Sequence, residues 1–409
     1  MARTYHYVSG DSHLEVPSKY WVDRVPAQYR AGAPRLERLP DGTDAWFIED
    51  ERVGQANAFD LYGGKGRDVW EPIRQTYDTT PGTGPAEQRI REQDVDGIEA
   101  EVLFPAQVAG MRMLRRVKDD AAYLAVVRAY NDWLADDYCA VAPDRLFGVG
   151  IIPWTNVRDA IAEMENCKKK GLKIVVIGVF PSGNGYPSIQ DDPFWAASLD
   201  LQMPVAIHVD IDRNGERGGA FYHYAREPEE LKSQLESPLF GIVGQTARFA
   251  RAAGLNAVQL TLDHLFERFP ALNVYLAENS IGWVPFFLRM ADIRYGRHRY
   301  WVERHLDWKP LEGEKKPSDV IREHFYWGFQ EDPIGVELRR HIGVDKVIWG
   351  TDFPHQESEW PNSMGVVERN FAGVPEAEKT KMVAANIIRL LHLDAVAVPA
   401  PLPKLEAAG

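Results

Sequence analysis

Eight short apolar runs, each followed by a segment of helical periodicity, limit what this chain can fold into more than any other feature. They are 5–13 (YHYVSGDSH), 98–105 (IEAEVLFP), 145–153 (RLFGVGIIP), 173–181 (KIVVIGVFP), 203–210 (MPVAIHVD), 272–279 (LNVYLAEN), 322–329 (REHFYWGF) and 346–354 (KVIWGTDFP). Most run nearly unbroken through Val, Ile, Leu and aromatics, as strands buried on both faces do. Helices are predicted between them over 119–142, 156–171, about 240–268, 284–296, 333–343 and about 366–391. The segment at 156 opens with Asn156, carries Asp159 in its first turn and stops at Gly171, as capping and dipole effects favour. Eight strands alternating with helices predict an α/β fold, a (β/α)8 TIM barrel. The competing doubly wound sheet lacks its usual purpose, because no GxGxxG or Walker-type loop follows a strand.

Two segments fall outside the alternation. Residues 20–90, rich in Pro, Gly and charge, follow the first strand, and 211–240 follow the fifth. In a barrel both emerge at the C-terminal rim of the strands, where loops build active sites. No internal repeat is visible, so 1–395 read as one domain. The tail 396–409, Pro- and Ala-rich, reads as an extended arm that is disordered or packed on a neighbouring subunit.

Composition narrows the partners. Hydrophobic residues at 45% and charged residues at 26% are ordinary for a soluble globular protein. A formal charge of −13 argues against nucleic acid or an anionic membrane as partner. Cys139 and Cys167 have no CxxC or Cys/His spacing, which fits a reducing compartment and excludes a disulfide framework. The N-terminus has no apolar signal-like stretch, and no apolar run reaches the roughly 18 residues of a membrane span. The expectation is a cytoplasmic protein acting on a small molecule, with homo-oligomerisation through the aromatic-basic stretch 294–308 and the tail, or assembly with a related subunit.

Polar residues break the apolar runs near the ends that face the rim. Asp11 and His13, two apart, share a side of extended backbone. His208 interrupts the fifth run, Glu278 the sixth, and Asp352 ends the eighth with His355 close behind. Each has a bland reading alone: a hydrogen-bonded core histidine, or an aspartate in a turn. Burying several acids together, however, costs several kcal/mol per uncompensated charge, and a divalent cation supplies the compensation. His6, His264, His298, His305, His341 and His392 read as ordinary histidines, while His223 and His324 are open as substrate or outer contacts.

SGDSHLEVPSKYW, AIHVD, FERFPALNVYLAENSIGWVP and VIWGTDFPH resemble the amidohydrolase-related proteins of the amidohydrolase superfamily, a group that includes resorcylate decarboxylases and metal-dependent hydrolases. The resemblance covers the first strand and most of 88–392. It implies a barrel in which His13, His208 and Asp352 bind metal with the residue at position 11. The family's first motif is His-x-His, where this chain has Asp11, and the decarboxylases typically carry a histidine where this chain has Glu278.

Asp11, His13, His208, Glu278, Asp352, His355 and Glu357 (preferred over Glu359) make seven candidate ligands, enough for one or two divalent ions. Carboxylates and imidazoles without thiolates favour iron, manganese or zinc. Three chemistries follow. The first is hydrolysis by metal-activated water, with Asp352 as general base and Glu278 assisting. The second is O2-activating hydroxylation by two irons, or iron with manganese, which the resemblance extends to through a few hydroxylases on this fold. The third is decarboxylation. Trp154, Phe180 and Trp283 follow or end strands and are candidate substrate contacts, with Arg112 or Arg213 as carboxylate clamps.

Overall fold

A computed structural model gives the fold of the chain. The residues described are 3–56, 60–66, 75–78, 80–106, 114–209, 211, 229, 232, 233, 236 and 253–400. Arg112, Arg213, His223, nearly all of 211–240 and the end of the tail from 401 lie outside them.

The eight apolar runs form eight parallel strands in chain order: β1 (Val8–Leu14), β2 (Ala100–Pro105), β3 (Leu146–Ile151), β4 (Ile174–Val176), β5 (Val205–His208), β6 (Val274–Ala277), β7 (Phe325–Phe329) and β8 (Val347–Trp349). Every residue of every strand is buried, which explains why most of their sequences are nearly continuous in apolar residues. Helices cover the outside: α1 (Ala86–Asp96), α2 (Asp120–Trp133), α3 (Val157–Lys170), α4 (Asp192–Asp200), α5 (Ala253–Leu262), α6 (Val284–His305), α7 (Pro317–His324) and α8 (Ser363–Asn370). Asn156 caps α3 by accepting from the Asp159 backbone N–H, and Gly171 ends it at φ 94°.

The barrel closes between β8 and β1. Thr351 and Asp352 donate backbone N–H groups to the Asp11 carbonyl at 3.1 and 2.8 Å, and His13 donates to Phe353 O at 2.7 Å. Glycine permits this approach. A Cβ on Gly10 would lie 2.2 Å from Ile348 Cγ2, and one on Gly350 would lie 2.8 Å from the Asp11 nitrogen.

The segment after β1 carries an antiparallel sheet, Arg35–Arg38, Asp44–Ile48 and Glu51–Gln55. It packs on the loop after β8, where Tyr62 and Gly63 donate to Pro354 O at 3.1 and 3.0 Å. Three expectations need correction. The predicted helix 366–391 is broken, because α8 ends at Asn370 and Gly373 and Pro375 intervene before the next turn. The start of the tail is not disordered: Ala395–Ala397 pairs in parallel with the chain's own Arg3–Tyr5. His264 is not inside a helix but caps Leu265–Arg268 at φ 58°. Among the described residues no helix is long and apolar enough to cross a membrane.

Candidate metal centre

Four strand ends bring an alternating chain of acids and imidazoles together. Glu278 Oε2 lies 3.4 Å from His208 Nε2, which lies 3.4 Å from Asp11 Oδ1. Asp11 Oδ1 is 3.7 Å from His13 Nε2, and that nitrogen is 3.2 Å from Asp352 Oδ1. Asp352 Oδ1 is 3.3 Å from His355 Nδ1, and His355 Nε2 is 3.2 Å from Glu15 Oε1. The His13 ring stacks on His355 at 3.8 Å and meets His208 edge-on at 4.7 Å.

Local backbone turns the side chains inward. Val209, Glu278 and Asp352, at or just beyond the ends of β5, β6 and β8, have φ of 62°, 54° and 57°. That left-handed region costs a side chain roughly 1–2 kcal/mol, more for a β-branched one, and such residues gather at functional sites.

The electrostatics are those of a site built for cations. Burial, the largest influence, pushes the Asp11 carboxyl up to about 7, with Asp352 adding to it and His13 and His355 opposing. Burial likewise pushes His13 down to about 4, helped by His355 and His208 against the pull of Asp352. Burial would also raise Asp352, yet facing His355 and His13 hold it well below the usual carboxylate range. His355 is raised well above its ordinary value despite burial, by Asp352 and Glu15.

Among the described residues, three donor groups are close enough to share an ion: Asp11–His13–His208, His13–Asp352–His355 and Asp11–Glu278–Asp352. Asp11 Oδ1, His13 Nε2 and both Asp352 carboxylate oxygens are buried without a well-directed hydrogen bond. Buried polar atoms are satisfied in the great majority of cases, so their convergence on one spot fits a divalent ion. No thiolate belongs to the set, and both cysteines are buried in the apolar core.

Glu357 takes a different place from the other expected ligands. It is exposed, and it belongs to none of the three donor groups. The turn after Pro354 carries it outward before Ser358 returns to the interior. Glu15, completely buried, is the carboxylate that meets His355. The two-residue period that places Asp11 beside His13 also places Glu15, so the signal was present. Gln330, just past β7, was equally unforeseen and donates Nε2 to Asp11 Oδ2 at 3.2 Å. Phe104 packs against His208 at 4.7 Å. His324 is not a site residue, because it precedes β7 at the opposite end of the barrel, bonded to Leu272 O and stacked on Phe266.

The aromatic candidates take different places. Trp154 is buried under the Arg115 guanidinium at 4.4 Å, and Phe180 is completely buried. Trp283 packs on Phe287 and Trp327 and donates Nε1 to Asn279 O, next to Glu278, at 2.9 Å.

Outside the cluster, buried Arg89 of α1 supports two of its strand ends. It donates to the carbonyls of His13 (3.0 Å) and Phe353 (3.2 Å) while pairing with Glu101 at 2.6 Å.

Residues 11–393 match the family profile described as Amidohydrolase, and the chain belongs to that family. It is an enzyme of the amidohydrolase superfamily. A γ-resorcylate decarboxylase from Polaromonas sp. strain JS666 is 23% identical over 323 residues, 75% of this chain and 87% of that protein. In fold the chain is similar to an amidohydrolase from Mycobacterium avium subsp. paratuberculosis K-10, with TM-score 0.68 and 19% identity over 95% of this chain and 99% of that one. It is also similar to a dihydroxybenzoic acid decarboxylase from Polaromonas sp. JS666 with bound manganese and the inhibitor 2-nitroresorcinol. That match has TM-score 0.61 and 18% identity, and covers 96% of this chain and 98% of that one.

Proposed function

We propose that the chain is a metal-dependent enzyme that removes a carboxyl group as CO2 from a small carboxylated substrate. The observation that carries this reading is that Asp11, His13, His208, Glu278 and Asp352, from four strand ends, form overlapping groups of donors close enough to share an ion. A divalent ion held there would supply Lewis acidity toward a carboxylated substrate. The chain's own part is placement and proton delivery. Asp11, His13, His208 and Asp352 would hold the ion, with His355 beside Asp352 as a further donor. The Glu278 side chain, 14% exposed against 1% for Asp11 and Asp352, is the carboxylate of the three that opens outward. In this reading it is the group that would hand a proton to the carbon that loses CO2. The manganese-containing and resorcylate-decarboxylating relatives support the same chemistry.

Hydrolysis, the first expectation, needs Asp352 as proton acceptor. The decarboxylase relatives support loss of CO2 in its place. One observation favours a second reading. Asp11, Glu15, Glu278 and Asp352 are four carboxylates facing three imidazoles; one divalent ion leaves them with net negative charge in a buried site, while two ions neutralise them. A two-ion centre of iron or manganese fits O2-dependent hydroxylation.

Elemental analysis of protein purified without added metal, combined with turnover of a panel of hydroxybenzoic acids, separates the readings. One manganese or zinc per chain with CO2 released anaerobically supports decarboxylation. Two ions with O2 consumed supports hydroxylation and rejects decarboxylation. Asp352→Asn and His208→Ala are each expected to abolish turnover and strip bound metal; full activity in both rejects the centre.

A further inference from the structure

His355 is held on both edges of its ring. Nδ1 faces Asp352 Oδ1 at 3.3 Å, and Nε2 faces Glu15 Oε1 at 3.2 Å. The other two imidazoles present Nε2 to the cluster. A histidine binds metal as the neutral imidazole, with one N–H and one lone pair, so the nitrogen that keeps its proton decides which one can bind. An ionised carboxylate only accepts. It is completely buried, follows β1 directly, and lies on the face shared by Asp11 and His13. Stacking on His13, with 20° between the planes, fixes the ring's orientation. The two ring nitrogens point away from each other, so an ion reached by Nδ1 is not the one Glu15 would touch across Nε2.

Resting on the metal-centre reading above, we infer that Glu15 is a positioning residue: it keeps the His355 proton on Nε2 and turns the Nδ1 lone pair toward the ion held by Asp352 and His13. Carboxylate partners of this kind behind a metal-binding histidine are worth about 10–100-fold in metal affinity. The role is specific to the buried glutamate after β1 and owes nothing to the exposed Glu357.

The test uses the full chain titrated with Co2+ as wild type, Glu15→Ala, Glu15→Gln, His355→Ala and the Glu15→Ala/His355→Ala double variant. Visible absorption of the Co2+ form and thermal melting of the chelator-treated form are read alongside. Glu15→Ala is expected to weaken Co2+ binding about 10–100-fold and to shift the visible band. Glu15→Gln, which keeps an acceptor oxygen, should fall between it and wild type. In the His355→Ala background, removing Glu15 should change neither affinity nor spectrum further. Equal losses in both backgrounds would overturn the inference, because Glu15 would then act independently of His355, as a ligand or through the fold. Unchanged affinity in Glu15→Ala overturns it too. If Glu15→Ala does not fold, Glu15→Gln carries the same comparison with and without His355. A wild-type chain that takes up no Co2+ fails at the level of the metal centre, and the inference falls with it.

Discussion

Asp11 holds the most strained electrostatic position in the centre. It is buried completely, its carboxyl is pushed up to about 7 by that burial, and it faces two imidazoles through Oδ1 while Gln330 donates to Oδ2. The amide thus leaves one oxygen directed inward. The ion-free chain's protonation governs uptake, because a ligand carboxylate must be deprotonated to bind. Its folded pKa is raised, so Asp11 is ionised above about 7 and protonated below it. Manganese affinity, titrated between about pH 5.5 and 9, is expected to fall at least about tenfold per unit below the Asp11 midpoint. Asp11→Asn should bind weakly at every pH, without that midpoint. A wild-type profile that stays flat through pH 7 would take Asp11 out of the ligand set.

Strands were legible in the sequence and some helices were not, for reasons visible in particular elements. β3 and β6 are apolar because both faces are buried, so their local composition reports their surroundings. α1 reports nothing of the kind: it buries Arg89, Glu92, Gln93 and Asp96, so no apolar stripe marks it and its sequence does not predict a helix. Asp11, His13, His208, Glu278 and Asp352 were readable because each interrupts an apolar run. Gln330 and Arg89 were not, since only the closed barrel brings residues 319 and 264 positions apart into contact. α1 also has a measurable role. Arg89 and Glu101 form a buried pair with side chains 1% and 3% exposed. Arg89→Met leaves the glutamate without a cation and is expected to cost about 3–5 kcal/mol in urea denaturation. Adding Glu101→Gln should recover much of that loss, and an Arg89→Met midpoint equal to wild type would show that the pair contributes nothing.

At the scale of the whole molecule, the centre and the closure of the barrel are one arrangement. Asp11 and His13 come from β1, His208 from β5, Glu278 from the end of β6 and Asp352 from the end of β8, so an ion bound by them ties together strands on different sides of the barrel. Ligand binding to the folded state alone stabilises it by about 2.7 kcal/mol at a hundred times the dissociation constant. Chelator-treated protein should therefore melt below the manganese-loaded form, and Asp352→Asn should melt alike with and without the ion. The β8–β1 seam gives a second handle, since a methyl group on Gly10 would meet Ile348 Cγ2 at 2.2 Å. Gly10→Ala is expected to lose about 1–3 kcal/mol of stability through overpacking. Because Gly10 adjoins Asp11, the same shift should displace the carboxylate and weaken manganese uptake. Ile348→Ala in the same chain makes room for the methyl and should restore uptake, even though the shortened side chain itself lowers stability. A Gly10→Ala chain that binds manganese like wild type would separate the seam from the site, and the barrel would then close without setting the ligand geometry.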